Sequence, residues 1–148
     1  MASLAPHVSR VAKDYAPHGY SIMETSIVVQ DIVNGATDEQ YVLLAIADQS
    51  DIYLEGAYLV TVDEQASEGT NYWTFDLVSA PNGVGSETAI SNQVGGASTA
   101  IAELTYSAFT LTGKVVSKGQ SVWLRCNPNH ASSAAHTVGG YLRFRIKA

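Results

Sequence analysis

The sequence holds a single cysteine, Cys126, so no disulfide can form within the chain. That excludes a disulfide-stapled secreted module and makes maturation in a reducing cytosol the simpler expectation. Charge is also scarce: Asp, Glu, Lys and Arg make up 15% of the 148 residues, against about 25% in an average globular chain. Ser, Thr, Asn, Gln and Gly must finish the surface, a composition common in β-proteins and in chains that bury surface against partners. Long apolar runs are missing too. The longest, "YVLLAIA" at 41–47, is far short of the ~20 residues that span a bilayer. Residues 1–20 carry Pro6, His7, Arg10, Lys13 and Asp14 and show no stretch of signal-peptide character. No N-x-[ST] acceptor occurs. The expectation is a soluble chain, made in the cytoplasm, with no membrane as partner.

What is present suits one globular domain. Hydrophobic residues make up 46% of the chain, and a chain of this size buries about 68–70% of its unfolded surface. The charges it has are segregated. All 14 carboxylates lie between Asp14 and Gly113, a stretch without Lys or Arg, whereas six of the eight cations lie from Lys114 onward. Arg10 and Lys13 are the other two. So long an acidic stretch opposes a phosphate backbone and excludes nucleic acid as the expected partner.

From Ser21 onward the pattern is that of strands. "NYWTFDLV" (71–78) alternates, placing Trp73, Phe75 and Leu77 inward and Tyr72, Thr74 and Asp76 outward. "YVLLAIA" is apolar on both faces, which predicts a central strand. In "DIYLEGAYLVTVDE" (51–64) Gly56 marks a bulge. The closing "GGYLRFRIKA" points Leu142, Phe144 and Ile146 to a core and Arg143, Arg145 and Lys147 to the outside. Between Ser79 and Ala100 the chain is rich in Gly, Ser, Asn and Ala, too long for a plain loop and so functional or partly structured. About eight strands with Gly, Asn and Pro punctuation predict an all-β fold, an antiparallel two-sheet sandwich of jelly-roll type over 21–148. An immunoglobulin-like sandwich is the runner-up.

Residues 1–20 stand apart as an N-terminal arm, extended or a short helix. Val8, Val11 and Tyr15 follow helical spacing, but so short a helix is marginal alone and needs a surface to lie against. They are candidate apolar anchors on a partner, with Arg10 and Lys13 as charged ones. The alternative is that the arm folds back over its own sandwich.

Recognised catalytic patterns do not appear. There is no G-x-S-x-G elbow, H-E-x-x-H or phosphate-binding glycine loop, and no H-x-H pair of the kind that holds metal in cupin jelly rolls. Cys126, His130 and His136 form C-x3-H-x5-H, without the tight ligand pairs of zinc sites. Cys126 shares the inward phase of Val122 and Leu124 and reads as a small buried hydrophobe. Asp48 with Asp51, and Asp63 with Glu64 and Glu68, offer oxygens to calcium, but the EF-hand spacing is absent and turn capping is the stronger reading. No enzyme, metal or cofactor is expected.

Phase places Tyr53, Tyr72 and Trp123 outward. They suit a sugar-stacking platform or a subunit interface, and with Arg125, Arg143, Arg145 and Lys147 they form the candidate interface set. Basic strands beside acidic ones in the same sheet explain the segregated charge most simply. A basic edge meeting a neighbour's acidic body is the alternative.

In "AYLVTVDEQASEGTNYWTFDL" and "LTGKVVSKGQSVWLRCNP…TVGGYLRFRIKA", about two-thirds of the chain, the sequence resembles the β-sandwich head decoration, or capsid cement, proteins of tailed bacteriophages. The resemblance implies a non-enzymatic virion protein, a homotrimer on the outer surface of the capsid that bridges subunits of the major capsid protein. A carbohydrate-binding or receptor-binding module of a phage fibre or tail is the alternative expectation.

Overall fold

A computed structural model describes residues 20–24, 28–32, 38–65, 69–81, 85–129 and 136–147. The arm residues Val8, Arg10, Val11, Lys13 and Tyr15 lie outside the described residues. Every regular element described is a strand: β1 (Tyr20–Glu24), β2 (Val28–Ile32), β3 (Gln40–Ile46), β4 (Ile52–Thr61), β5 (Trp73–Pro81), β6 (Thr88–Ala89), β7 (Val94–Gly95), β8 (Thr105–Ala108), β9 (Val115–Val116), β10 (Gln120–Pro128) and β11 (His136–Lys147). They form two antiparallel sheets. The first runs β1-β11-β4-β8, with β2 also on β11 and β9 also on β4; the second runs β3-β10-β5-β6, with β7 also on β5.

β1 with β2, β6 with β7, and β8 with β9 each share one partner strand, so the eleven strands occupy eight positions. Numbered along the chain, the positions pair first with eighth, second with seventh, third with sixth and fourth with fifth. This is one long antiparallel hairpin rolled up on itself. The roll is closed in one sheet by β11 on β4 and in the other by β10 on β5. The jelly roll expected from the strand count is the observed fold.

Two bulges set which side chains reach the core. On β4 the register shifts beside Gly56, leaving Glu55 as the extra residue. Ile52 and Leu54 are buried before it, and Ala57, Leu59 and Thr61 after it, so the inward phase changes parity as the sequence requires. On β3 the shift leaves Leu44 extra. Leu44 reaches inward over Gly140 of β11, where an added Cβ would stand 2.6 Å from a leucine methyl and push the Leu44 side chain aside. The core between the sheets holds Trp73, Phe75, Leu77, Leu124, Leu142, Val122 and Cys126, all at most 1% exposed, each large apolar chain contributing about 1.5–3 kcal/mol on burial. Gln65 is buried with them, and its side chain both accepts from the Trp73 N–H and donates to the Trp73 carbonyl, 3.0 Å each. It thereby satisfies the first residue of β5 as a strand would.

One expectation is overturned. β3, the carrier of "YVLLAIA", is an edge strand of its sheet, and its second face is not in the core: Leu43 is 36% and Ile46 52% exposed. The Gly-rich passage after Ser79 is partly structured, with β6 and β7 paired to β5.

Candidate functional site

The outward residues of the second sheet lie in cross-strand rows. Leu43 of β3, Trp123 of β10 and Val78 of β5 stand side by side, as do Ile46, Ser121 and Ala80, and Tyr41, Arg125 and Asp76. The first two rows, with Pro81, floor an apolar groove of about 620 Å³ whose lining also includes Tyr41, Gly85 and Glu87. Val78 is fully buried yet is not part of the core cluster between the sheets. The Trp123 indole N–H donates to Ser121 Oγ at 2.7 Å, and Ser121 donates to the Ala80 carbonyl at 3.1 Å. The ring is thus fixed along its own strand.

The third row is a charged end wall. Arg125 makes a two-pronged contact with Asp76, Nε to Oδ1 at 2.9 Å and Nη2 to Oδ2 at 2.6 Å, and reaches Glu87 at 3.1 Å. Asp76 faces outward as its phase predicts, but only 3% of its side chain is exposed beneath the guanidinium. Hydrogen bonding to Asp76 raises the Arg125 pKa further above its already basic value. The Tyr41 hydroxyl sits against Glu39 and Glu87 and, with one proton, donates to one of them at a time. Burial first, and then these carboxylates, push its pKa up. The wall holds three carboxylates and one guanidinium.

The opposite outer face, on the first sheet, is aromatic. Tyr58 of β4 packs edge-on against Tyr106 of β8, with ring centres 5.7 Å apart, and tilted against Tyr141 of β11 at 5.8 Å. With Val60, Val62, Leu104 and Arg143 they line a depression of about 550 Å³. Tyr106 is 75% and Leu104 80% exposed. Leu104 adopts φ of 51°, a left-handed conformation costly for a residue with a Cβ. Neighbouring bonds brace it: its N–H donates to the Val62 carbonyl, and the Thr61 and Thr105 hydroxyls donate to the Ala102 carbonyl at 3.0 and 2.9 Å. Farther along, Arg145 is paired with Glu55 across the β11–β4 ladder. That pair and Arg125–Asp76 are cross-strand contacts of the kind expected from basic strands beside acidic ones.

The candidate interface set is divided by the fold. Tyr53 of β4 and Arg143 and Arg145 of β11 lie on the outer side of the first sheet, and Lys147 ends β11; Trp123 and Arg125 lie on the outer side of the second, and Tyr72 precedes β5. Tyr53 and Trp123 therefore cannot share one platform, because phase separates inside from outside but not one sheet from the other. Leu43, Tyr41, Val78 and Glu87 of the groove, and Tyr58, Leu104, Tyr106 and Tyr141 of the aromatic face, were missed. The alternation of "AYLVTV" already points Tyr58, Val60 and Val62 outward; nothing local signals Leu104.

Cys126 is fully buried, and desolvation pushes its thiol up to about 12. It faces the core rather than His136, and His130 lies outside the described residues. Burial lowers the His136 pKa, partly offset by Asp63 at 3.8 Å. Asp51 accepts a backbone N–H bond from Lys118 in the turn before β10, and Asp63 accepts one from Thr137 of β11, both at 2.8 Å. Compared with protein-family models and with curated proteins, the chain matches none.

Proposed function

We propose that this jelly roll is a non-enzymatic structural protein of a virion, a decoration protein that docks on the outer surface of a phage capsid and stabilises the shell by bridging capsid subunits. The observation that carries the reading is the face of Tyr58, Tyr106, Tyr141 and Leu104 beside Arg143. It pairs aromatic rings with an exposed leucine held in a strained but braced turn, the composition of a protein-contact patch rather than of a solvated surface. Three further features support the capsid as partner: the low charge content, the resemblance to capsid cement proteins, and a fold that offers two broad outer faces. A small symmetric oligomer, a homotrimer, belongs to the same reading. Binding to the assembled shell and not to its separated subunits stabilises the shell by linkage.

Mixing the purified protein with undecorated phage heads, with co-sedimentation and light-scattering mass as readouts, tests the reading. Saturable co-sedimentation that Leu104→Asp and Tyr106→Ala weaken is expected. Its absence, or binding indifferent to both changes, refutes the assignment of this face. The second reading, a carbohydrate- or receptor-binding module, rests on Trp123 and Tyr41 lying beside carboxylates in the groove of the other sheet. Binding on a glycan array that Trp123→Ala abolishes would favour it.

A further inference from the structure

The groove on the second sheet and the edge of the first carry opposite surpluses of charge, and we propose that they meet between copies: the β9 edge of one chain seats in the groove of the next. Within one chain, cross-strand pairing uses Arg125 on Asp76 and Arg145 on Glu55. The charge left over at the groove and at β9 is of opposite sign.

In the groove, Glu39 and Glu87 converge on one hydroxyl, that of Tyr41, and Glu87 shares the Arg125 guanidinium with Asp76. The wall therefore sets three carboxylates against one cation. It borders exposed apolar side chains, Leu43 and Ile46, on either side of Trp123. A surface of this kind fits an apolar side chain with an ammonium group beside it.

The β9 edge offers that pair. Val115 is 53% exposed, whereas Val116 turns into the core. Lys114 and Lys118 flank them, both are exposed, and neither makes an ion pair among the described residues. The backbone here is fixed: Val115 stands opposite Tyr53 of β4, the Leu54 N–H donates to the Lys114 carbonyl at 2.7 Å, and the Lys118 N–H donates to Asp51 at 2.8 Å. The spacing also suits. The groove's charged row, Tyr41 with Arg125, and its apolar row, Leu43 with Trp123, are two residues apart along the strands, about 6.6–6.8 Å. A lysine adjacent to a valine spans that step with its four-carbon stem.

One chain cannot close this contact on itself. β9 belongs to the first sheet, the groove lies on the outer side of the second, and Val115 points away from the core between them. Two different patches in contact make a heterologous interface, which closes into a ring such as a trimer when the rotation between copies allows it. The tyrosine face stays uncovered, because Val115 lies at the Ile52 end of β4 and Tyr106 at its Thr61 end. The assignment thus rests on the oligomer proposed above and names its contact, but it does not rest on capsid docking.

Light-scattering mass of the full-length protein against concentration, in low and in high salt, tests it. An oligomer that weakens as salt screens the contact is expected. Glu39→Lys, and separately Lys114→Glu/Lys118→Glu, should each weaken association about tenfold or more, because like charges then meet. Val115→Ser should weaken it through the apolar contact alone. Mixing Glu39→Lys with Lys114→Glu/Lys118→Glu should restore a heavier species, since the first supplies an intact edge and the second an intact groove. Trp123 emission should shift to the blue as the oligomer forms, with the fully buried Trp73 as a constant background. Thermal midpoints equal to the parent's keep a lost oligomer from being read as misfolding. A monomeric parent overturns both this contact and the oligomer. An oligomer indifferent to both charge reversals, or a mixture no heavier than its components, overturns the contact and leaves the oligomer standing. Capsid docking by the tyrosine face is untouched by each of these outcomes, since the test contains no capsid.

Discussion

Replacing Arg125 with methionine isolates the energetics of the groove's charged wall. The change keeps an unbranched stem over the sheet and removes the guanidinium, so Asp76, 3% exposed, loses both of its bonds from Arg125. Stranding one member of a buried pair costs about 3–5 kcal/mol. The Arg125 side chain is 18% exposed and the groove is open beside it, so solvent can reach part of the site and the expected cost is about 2–4 kcal/mol. For a chain of this size that lowers the thermal midpoint by roughly 4–16 °C. Asp76→Asn should cost less, about 1–2 kcal/mol, because the amide keeps an acceptor and Arg125 retains Glu87 and solvent. The combination Asp76→Leu/Arg125→Met strands no buried carboxylate, leaving only the part-exposed Glu87 without its guanidinium, and should recover most of the loss, giving a coupling of about 2–3 kcal/mol against the Asp76→Leu and Arg125→Met single variants. Urea unfolding followed by tryptophan emission measures all of these on one scale. If Arg125→Met lies within about 0.5 kcal/mol of the parent, or the cycle is additive, the pair is not buried in the energetic sense claimed for it.

The remaining expectations concern the core and its margins. The Cys126 thiol, buried and pushed up to about 12, should react with a disulfide reagent at mildly alkaline pH only as fast as the protein opens; prompt labelling without denaturant would place it elsewhere. Gly140→Ala should cost about 1–3 kcal/mol by overpacking against Leu44, and Leu44→Val should suppress much of that penalty in the double variant; simple additivity in urea unfolding would contradict the contact. His136 has a lowered pKa, so between its folded value and the ordinary value of about 6.5 the unfolded chain binds more protons than the folded one. Its contribution to stability is therefore complete above about pH 6.5 and is lost as pH falls through that window. His136→Asn should flatten this part of the stability profile, and an unchanged slope in urea titrations across the window would refute the assignment.

Much of the architecture was legible because period-two alternation is a local property. Trp73, Phe75 and Leu77, or Leu142 and Phe144, declare their inward face within a few residues, and counting such segments gave the eight positions of the jelly roll. β3 misled for a physical reason. An apolar strand buried on both faces and an apolar edge strand with one face on an open groove are written alike, since hydropathy reports a need for cover and not its source. The groove was invisible for a related reason. Trp123 meets Leu43 and Val78, from positions 80 and 45 residues earlier in the chain, only through strand register.

The sequence by itself determined the all-β class, the inward phase of each long strand, the bulge at Gly56 and the burial of Cys126, because each follows from steric and hydrophobic preferences within one strand. The segregation of charge was likewise plain from the sequence alone. Only the tertiary structure decided which outward residues share a surface. Rolling the long hairpin sent Tyr53 and Arg143 to one face and Trp123 and Arg125 to the other, and it brought Asp76 beneath a guanidinium 49 residues away. Alternation along a strand has two outcomes, in or out. A sandwich has two outsides, and only the pairing of distant strands chooses between them.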